Sequence, residues 1–190
     1  MAARSGMTKL ISELRLMTST TTNDFTDDQL QDYLDRTREE WRYLRLIPIQ
    51  TRAAGAAQWF DYAIPDFVAG HFEEYAGDGS SGWVVRDGSG NTVAAPPAGY
   101  TVNYQARLIT FAVDQKGAPF YVDLRAYNLF YAAATVWRQK AATVASRVDT
   151  QSDNHSISAS QEHDHCMKMA DHYESLCGPQ VAEMIRMDEI

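Results

Sequence analysis

The sequence predicts an α+β fold, a predominantly α-helical bundle carrying a small antiparallel β insertion and a C-terminal helical tail. Three observations lead there. Apolar residues recur at helical spacing before residue 44 and again after about 115. Between about 45 and 114 the chain breaks into short apolar runs separated by Pro, Gly, Asp and Ser, the texture of strands and turns. Past Gly178 and Pro179, which can end a helix, a last short amphipathic segment follows. The expected organisation is a bundle from 1–44 and 115–178, a β-rich insertion over 45–114 and a docking tail over 179–190.

The first helix is expected from about Thr8 to Met17, with Leu10, Ile11, Leu14 and Met17 on one side. The second is marked by Thr26 as N-cap, Gln29 in the capping-box place and Asp27 and Asp28 where negative charge favours the helix dipole. Leu30, Tyr33, Leu34 and Trp41 are expected on its buried side. "RLIPIQ", "AQWFDYAI", "GWVVRD", "YTVNYQ" and "RLITFAV" read as strands, and "RDGSGN" as the clearest turn. This region is expected to be too polar and glycine-rich to form the main core. A long helix is expected from roughly Pro119 to Val148, with Leu124, Tyr127, Phe130, Ala134 and Trp137 inward, and its alanines allow close helix packing. "DTQSDNHSISASQ" interrupts it with residues that bond their own backbone in turns and caps. The last helix begins near Ser158 or Ser160 and reaches about Leu176.

Composition excludes several classes. At 190 residues, 45% hydrophobic and 22% charged, the chain can bury a full core without staples. A net charge of -8 disfavours tight binding to a nucleic-acid backbone, which depends on Lys and Arg neutralising phosphates. Two cysteines do not make a disulfide scaffold. "MAARSGMTKLISELRLMTST" meets Glu13 and Arg15 before any apolar core and is a poor signal peptide. No apolar run approaches the roughly 20 residues that span a bilayer, so a soluble protein is expected.

The most chemical stretch is "QEHDHCMKMADHYESLC", residues 161 to 177, with three of five histidines and both cysteines. On a helix, Cys166, Ala170, Tyr173 and Cys177 form one inward stripe flanked by Met169 and Leu176. His165 and His172 share a wetter side about 10 Å apart along the axis, too far to reach one zinc at about 2 Å each. Cys166 and Cys177 lie about 16 Å apart, beyond the roughly 7 Å between Cα atoms that a disulfide tolerates. The reading is a solvated or interface helix with small buried cysteines. A metal site completed by another helix or subunit, and thiol chemistry, stay open as alternatives. Paired carboxylates such as Glu73 with Glu74 read as surface. Trp59, Phe60, Tyr62 and Ile64 serve either a pocket or, more commonly, core packing. No cofactor, metal or enzymatic activity is expected.

Four stretches in this order resemble the head-to-tail adaptor, or head-completion, proteins of tailed bacteriophages. "LISELRLMTST…NDFTDDQLQDYLDRTREEW" (10 to 41) is similar to the family's amino-terminal helix pair. "YTVNYQARLITFAV" (100 to 113) is similar to the strand pair after a variable insertion. "VDLRAYNLFYAAATVWRQKAATVASRVD" (122 to 149) resembles its long alanine-rich helix, and "SDNHSISASQEHDHCMKMADHYESL" (152 to 176) its polar turn and last helix. The resemblance implies a virion structural protein at the neck, made in the host cytoplasm. It implies a homo-oligomeric ring, commonly of twelve copies, between the portal and a stopper or tail-completion protein, with genomic DNA passing through without sequence-specific binding. It also implies portal binding by the tail, here Val181, Met184, Ile185, Arg186 and Met187. In a ring with the last helix facing inward, Glu162, Asp164, Asp171 and Glu174 are channel-facing candidates that would repel phosphates; acidic solubility explains the same charges. A metal-dependent or thiol enzyme using His163, His165, Cys166 and His172, and an oligomeric binding protein unrelated to virions, are the competing readings.

Overall fold

Thr26 closes a capping box: its hydroxyl accepts the Gln29 N–H, and the Gln29 side chain accepts the Thr26 N–H at 2.8 Å. This fixes the start of α2 (Asp27–Asp35), which buries Leu30 and Leu34. Before it, α1 (Thr8–Thr18) follows a short 3-10 turn, Ser5–Met7, and buries Leu10, Ile11 and Leu14. These starts and faces follow the sequence pattern. The structure, a computed structural model, describes residues 3–53, 55–68, 70–77, 82–145, 150–152, 155–157 and 159–177. It divides into two units, Met1–Leu129 and Phe130–Ile190.

The expectation of a predominantly helical bundle with a small β insertion is wrong: the described residues form a mixed α+β fold with two substantial sheets, both in the first unit. Eight strands there build two four-stranded sheets: β1 (Arg38–Arg45), β2 (Ile47–Ala53), β3 (Ala56–Ala63), β4 (His71–Phe72), β5 (Val84–Arg86), β6 (Tyr100–Asn103), β7 (Leu108–Phe111) and β8 (Tyr121–Tyr127). In one sheet β8 is central, paired with β1 on one side and with β4 and β5 on the other. The second sheet runs β2-β3-β7-β6, antiparallel throughout.

Two helix expectations fail at the ends of the predicted insertion. Residues 121 to 127 were expected inside the long helix because Leu124, Tyr127 and Phe130 are three apart. Residues 121 to 126 alternate strictly, with Val122, Leu124 and Ala126 buried between half-buried Tyr121, Asp123 and Arg125, and Tyr127 is buried after them. That period of two belongs to a strand with one wet face. Trp41 was expected on the second helix, but α2 stops at Asp35, and Thr37 caps its end by donating its hydroxyl to the Leu34 carbonyl at 2.8 Å. Trp41 then lies on β1 opposite Leu124.

The β-rich region also holds the main core of the unit, contrary to expectation. Leu44, Tyr62, Ile64, Phe72, Trp83, Val85, Ile109, Phe111, Phe120, Val122 and Leu124 form one cluster drawn from both sheets and their connections. Rings fill it: Tyr62 meets Phe111 and Phe120 edge-on at 5.3 and 5.2 Å, and its hydroxyl donates to the Ala118 carbonyl. The pocket alternative for this aromatic run is thereby decided in favour of packing at Tyr62 and Ile64. "RDGSGN" is a turn, with Asp87 accepting the Ser89 and Asn91 N–H groups and Gly90 at φ +85°.

The second unit contains α3 (Leu129–Ala145), a short antiparallel pair β9 (Thr150–Ser152) and β10 (His155–Ile157), and α4 (Ala159–Ser175). The pair falls where only turns and caps were expected. Residues 132 to 137 of α3 are buried apart from half-buried Thr135, so this turn is covered around most of its circumference. Trp137 and Ala141 pack with Cys166 and Ala170, flanked by Met167, Met169 and Tyr173.

Candidate functional site

On α4 the stripe predicted for packing is observed at Cys166, Ala170 and Tyr173, but Leu176, expected on its flank, lies past the helix end and is 47% exposed. Cys166 and Ala170 are buried, and Tyr173 and Cys177 are half-buried. Burial raises both thiols above their ordinary range, the opposite of what an activated nucleophile needs. His165 and His172 are exposed, and the His165 ring meets Trp137 edge-on at 5.8 Å. His163 sits 3.5 Å from Asp164. Among the described residues no three His, Cys, Asp or Glu side chains come together as a metal site. Glu162, Asp164, Asp171 and Glu174 are all exposed, but Glu174 is held by Arg138. Val181, Met184, Ile185, Arg186 and Met187 lie outside the described residues.

Two polar assemblies in the first unit went unread in the sequence. The first surrounds Glu73, expected on the surface yet only 1% exposed. Arg4 Nε reaches one Glu73 oxygen at 3.1 Å; Arg125 and the Tyr127 hydroxyl donate to the other at 3.3 and 2.8 Å. Arg4 also forks onto both Asp35 oxygens at 3.0 and 2.6 Å, and its backbone N–H donates to Gln31. The Asp35 bond holds the Arg4 pKa above its ordinary value, and burial next to Glu73 raises that of the Tyr127 phenol, which stays a neutral donor. Every group has partners, so the cluster fastens the N-terminal segment around Arg4 to α2, to the residue that follows β4, and to β8.

The second assembly is the outward face of the β8 sheet. Glu40 lies opposite Arg125 and Trp41 opposite Leu124, but Leu44 lies opposite Val122, so three steps of β1 match two of β8. This bulge keeps Trp41 and Leu44 on the core side and leaves Arg42, Tyr43 and Arg45 outward, beside Asp123 and Arg125. Tyr43 takes the left-handed conformation at φ +52°, uncommon for an aromatic residue. It is held there by its N–H donating to Asp123 at 2.8 Å and by Arg86 standing 5.2 Å over its ring. Arg86 in turn donates twice to Asp123, and Arg125 sits 3.5 Å from Glu40. The result is a groove of about 450 Å³ lined by Glu40, Arg42, Tyr43, Arg86, Asp123 and Arg125. Four arginines, counting Arg45, face two carboxylates in a chain whose net charge is -8. The bulge that turns Arg42 and Tyr43 to one side leaves no local mark in the sequence.

Next to this face, Ile47, Pro48, Ile49, Gln50, Thr51 and Arg52 on β2 are all exposed, so this edge strand is bare on both faces. Ile47 is 51% and Ile49 37% exposed. A smaller cleft of about 240 Å³ lies between Lys9, Glu13, His71, Glu74, Tyr104 and Arg107. Three of its ions are engaged internally: Lys9 with Glu74 at 3.4 Å, and Arg107 with the Val68 carbonyl. No described helix is long and apolar enough to cross a membrane. No family model, curated protein or solved structure matches this chain.

Proposed function

We propose that this protein is a structural subunit of a ring, the head-to-tail adaptor at the neck of a tailed bacteriophage. It stacks between the portal and a stopper or tail-completion component and leaves an axial channel for DNA. The observation that carries this reading is β2, a seven-residue edge strand exposed on both faces with Ile47 and Ile49 outward. An edge of that length with bare isoleucines is a liability for a chain that stays alone, and it becomes an asset when a neighbour covers it. The order of the four sequence stretches that resemble the adaptor family supplies the kind of assembly.

The role is tested by sedimenting the purified chain with the cognate portal ring through a density gradient. Adaptor function predicts that it travels with the portal at a fixed ratio. A chain that stays at the top of the gradient with its cognate portal refutes the assignment.

A further inference from the structure

We infer that the arginine face of the β8 sheet is the seat for a second copy of this chain, which lays the acidic outer side of its α4 across Arg42, Tyr43 and Arg45. This rests on the ring reading and names the contact that would build the ring.

The face has the make-up of a contact surface. Arg and Tyr are enriched where binding energy concentrates, because they bring large amphipathic area with a polar tip. The Arg42 side chain is 78% exposed, with Glu40 at 3.6 Å, and Tyr43 is 60% exposed. Arg45 is exposed and has no ion-pair partner among the described residues. The bulge and the Asp123 bond hold Tyr43 outward in a strained conformation, and Arg86 braces its ring. Strain kept in place by surrounding bonds marks a position whose side chain is needed where it is.

The occupant follows from charge and spacing. An island of arginines in a chain of net charge -8 finds its complement on that chain's own acidic surface. Arg42 and Arg45 are three residues apart across the bulge, which shortens their backbone separation to about two strand steps, roughly 7 Å, and their long side chains splay beyond that on either side of Tyr43 and Asp123. On α4, Asp164 and Asp171 are seven residues apart, about 10.5 Å along one side of the helix, with Lys168 between them on that side. Two carboxylates at that spacing meet the two splayed guanidinium groups, one at Arg42 and one at Arg45, while the Tyr43 ring and Asp123 stay with Arg86. The Asp164 side chain is 73% exposed and Asp171 is exposed. The two surfaces differ, so the contact is head-to-tail, the kind that closes into a ring when the rotation between copies allows. It places Asp164 and Asp171 at the join between copies instead of on the channel wall.

The test is a charge swap in the full-length chain, read by sedimentation equilibrium at low salt over a wide concentration range. Wild type is expected to self-associate and to lose association as salt rises. R42E/R45E and D164R/D171R are each expected to weaken it about tenfold or more, and the four substitutions together are expected to restore it. Far-ultraviolet circular dichroism establishes that each variant folds. R42E/R45E associating like wild type, or the quadruple variant failing to recover, overturns the contact. So does binding of a labelled DNA duplex that R42E/R45E abolishes and D164R/D171R leaves intact, which would assign the face to phosphates. Wild-type chains that stay monomeric yet travel with the portal overturn this contact and keep the adaptor role. Charge-swappable association without portal binding does the reverse.

Discussion

Replacing Arg4 with Ala tests whether the Glu73 cluster holds the first unit together. The substitution removes the Nε bond to Glu73 at 3.1 Å and the two bonds to Asp35 at 3.0 and 2.6 Å. Glu73 is 1% exposed and cannot rehydrate, although Arg125 and Tyr127 remain with it. The Asp35 side chain, 26% exposed, can recover part of its loss from water. Breaking a buried pair costs about 3 to 5 kcal/mol, and the remaining partners place this one at the lower end, about 3 kcal/mol. In urea unfolding followed by circular dichroism, the midpoint should fall with little change of slope. Arg4→Lys should recover only part of the loss, since an ammonium cannot fork onto Asp35 while also reaching Glu73. A double-mutant cycle with Glu73→Gln should show coupling of about 1 kcal/mol or more. A loss below about 1 kcal/mol for Arg4→Ala would refute the view that this buried charge depends on Arg4.

Burial pushes the Tyr100 phenol up to about 12 and raises Tyr62, Tyr104 and Tyr127 as well. These phenols bind their protons more tightly when folded, so their stabilisation is full below pH 10 and is lost as pH rises toward 12. Ultraviolet titration should show several of the ten tyrosines ionising later in the native than in the urea-unfolded chain; coincident curves would contradict the buried placement. Cys166 should react with a thiol reagent at neutral pH far more slowly than in the unfolded chain, because its thiol is buried and its pKa raised. Rapid native labelling would revive thiol chemistry. Deleting Val181 to Ile190 should leave the thermal midpoint nearly unchanged and weaken portal docking, and near-wild-type affinity for the portal would remove that role from the tail.

Local signals carried much of the helical part. The Thr26 capping box, the α1 face and the Cys166-Ala170 stripe were legible because each depends on neighbours within one or two turns. The 121–127 segment was not, since Leu124, Tyr127 and Phe130 satisfy a helical spacing while alternation satisfies a strand. What decides between them is β1 pairing along its whole length from some 80 residues away in sequence. Glu73 was misread for a similar reason. Its partners Arg4, Arg125 and Tyr127 come from distant stretches, and no pattern near "FEEY" announces them. The arginine face required the bulge between Trp41 and Leu44, a backbone event that composition does not encode.

Electron microscopy of the chain bound to its cognate portal ring decides the adaptor role. An adaptor adds a ring of regularly repeated copies stacked on the portal, with an open axial channel. Portal particles without that layer, at saturating concentrations of the chain, would contradict it.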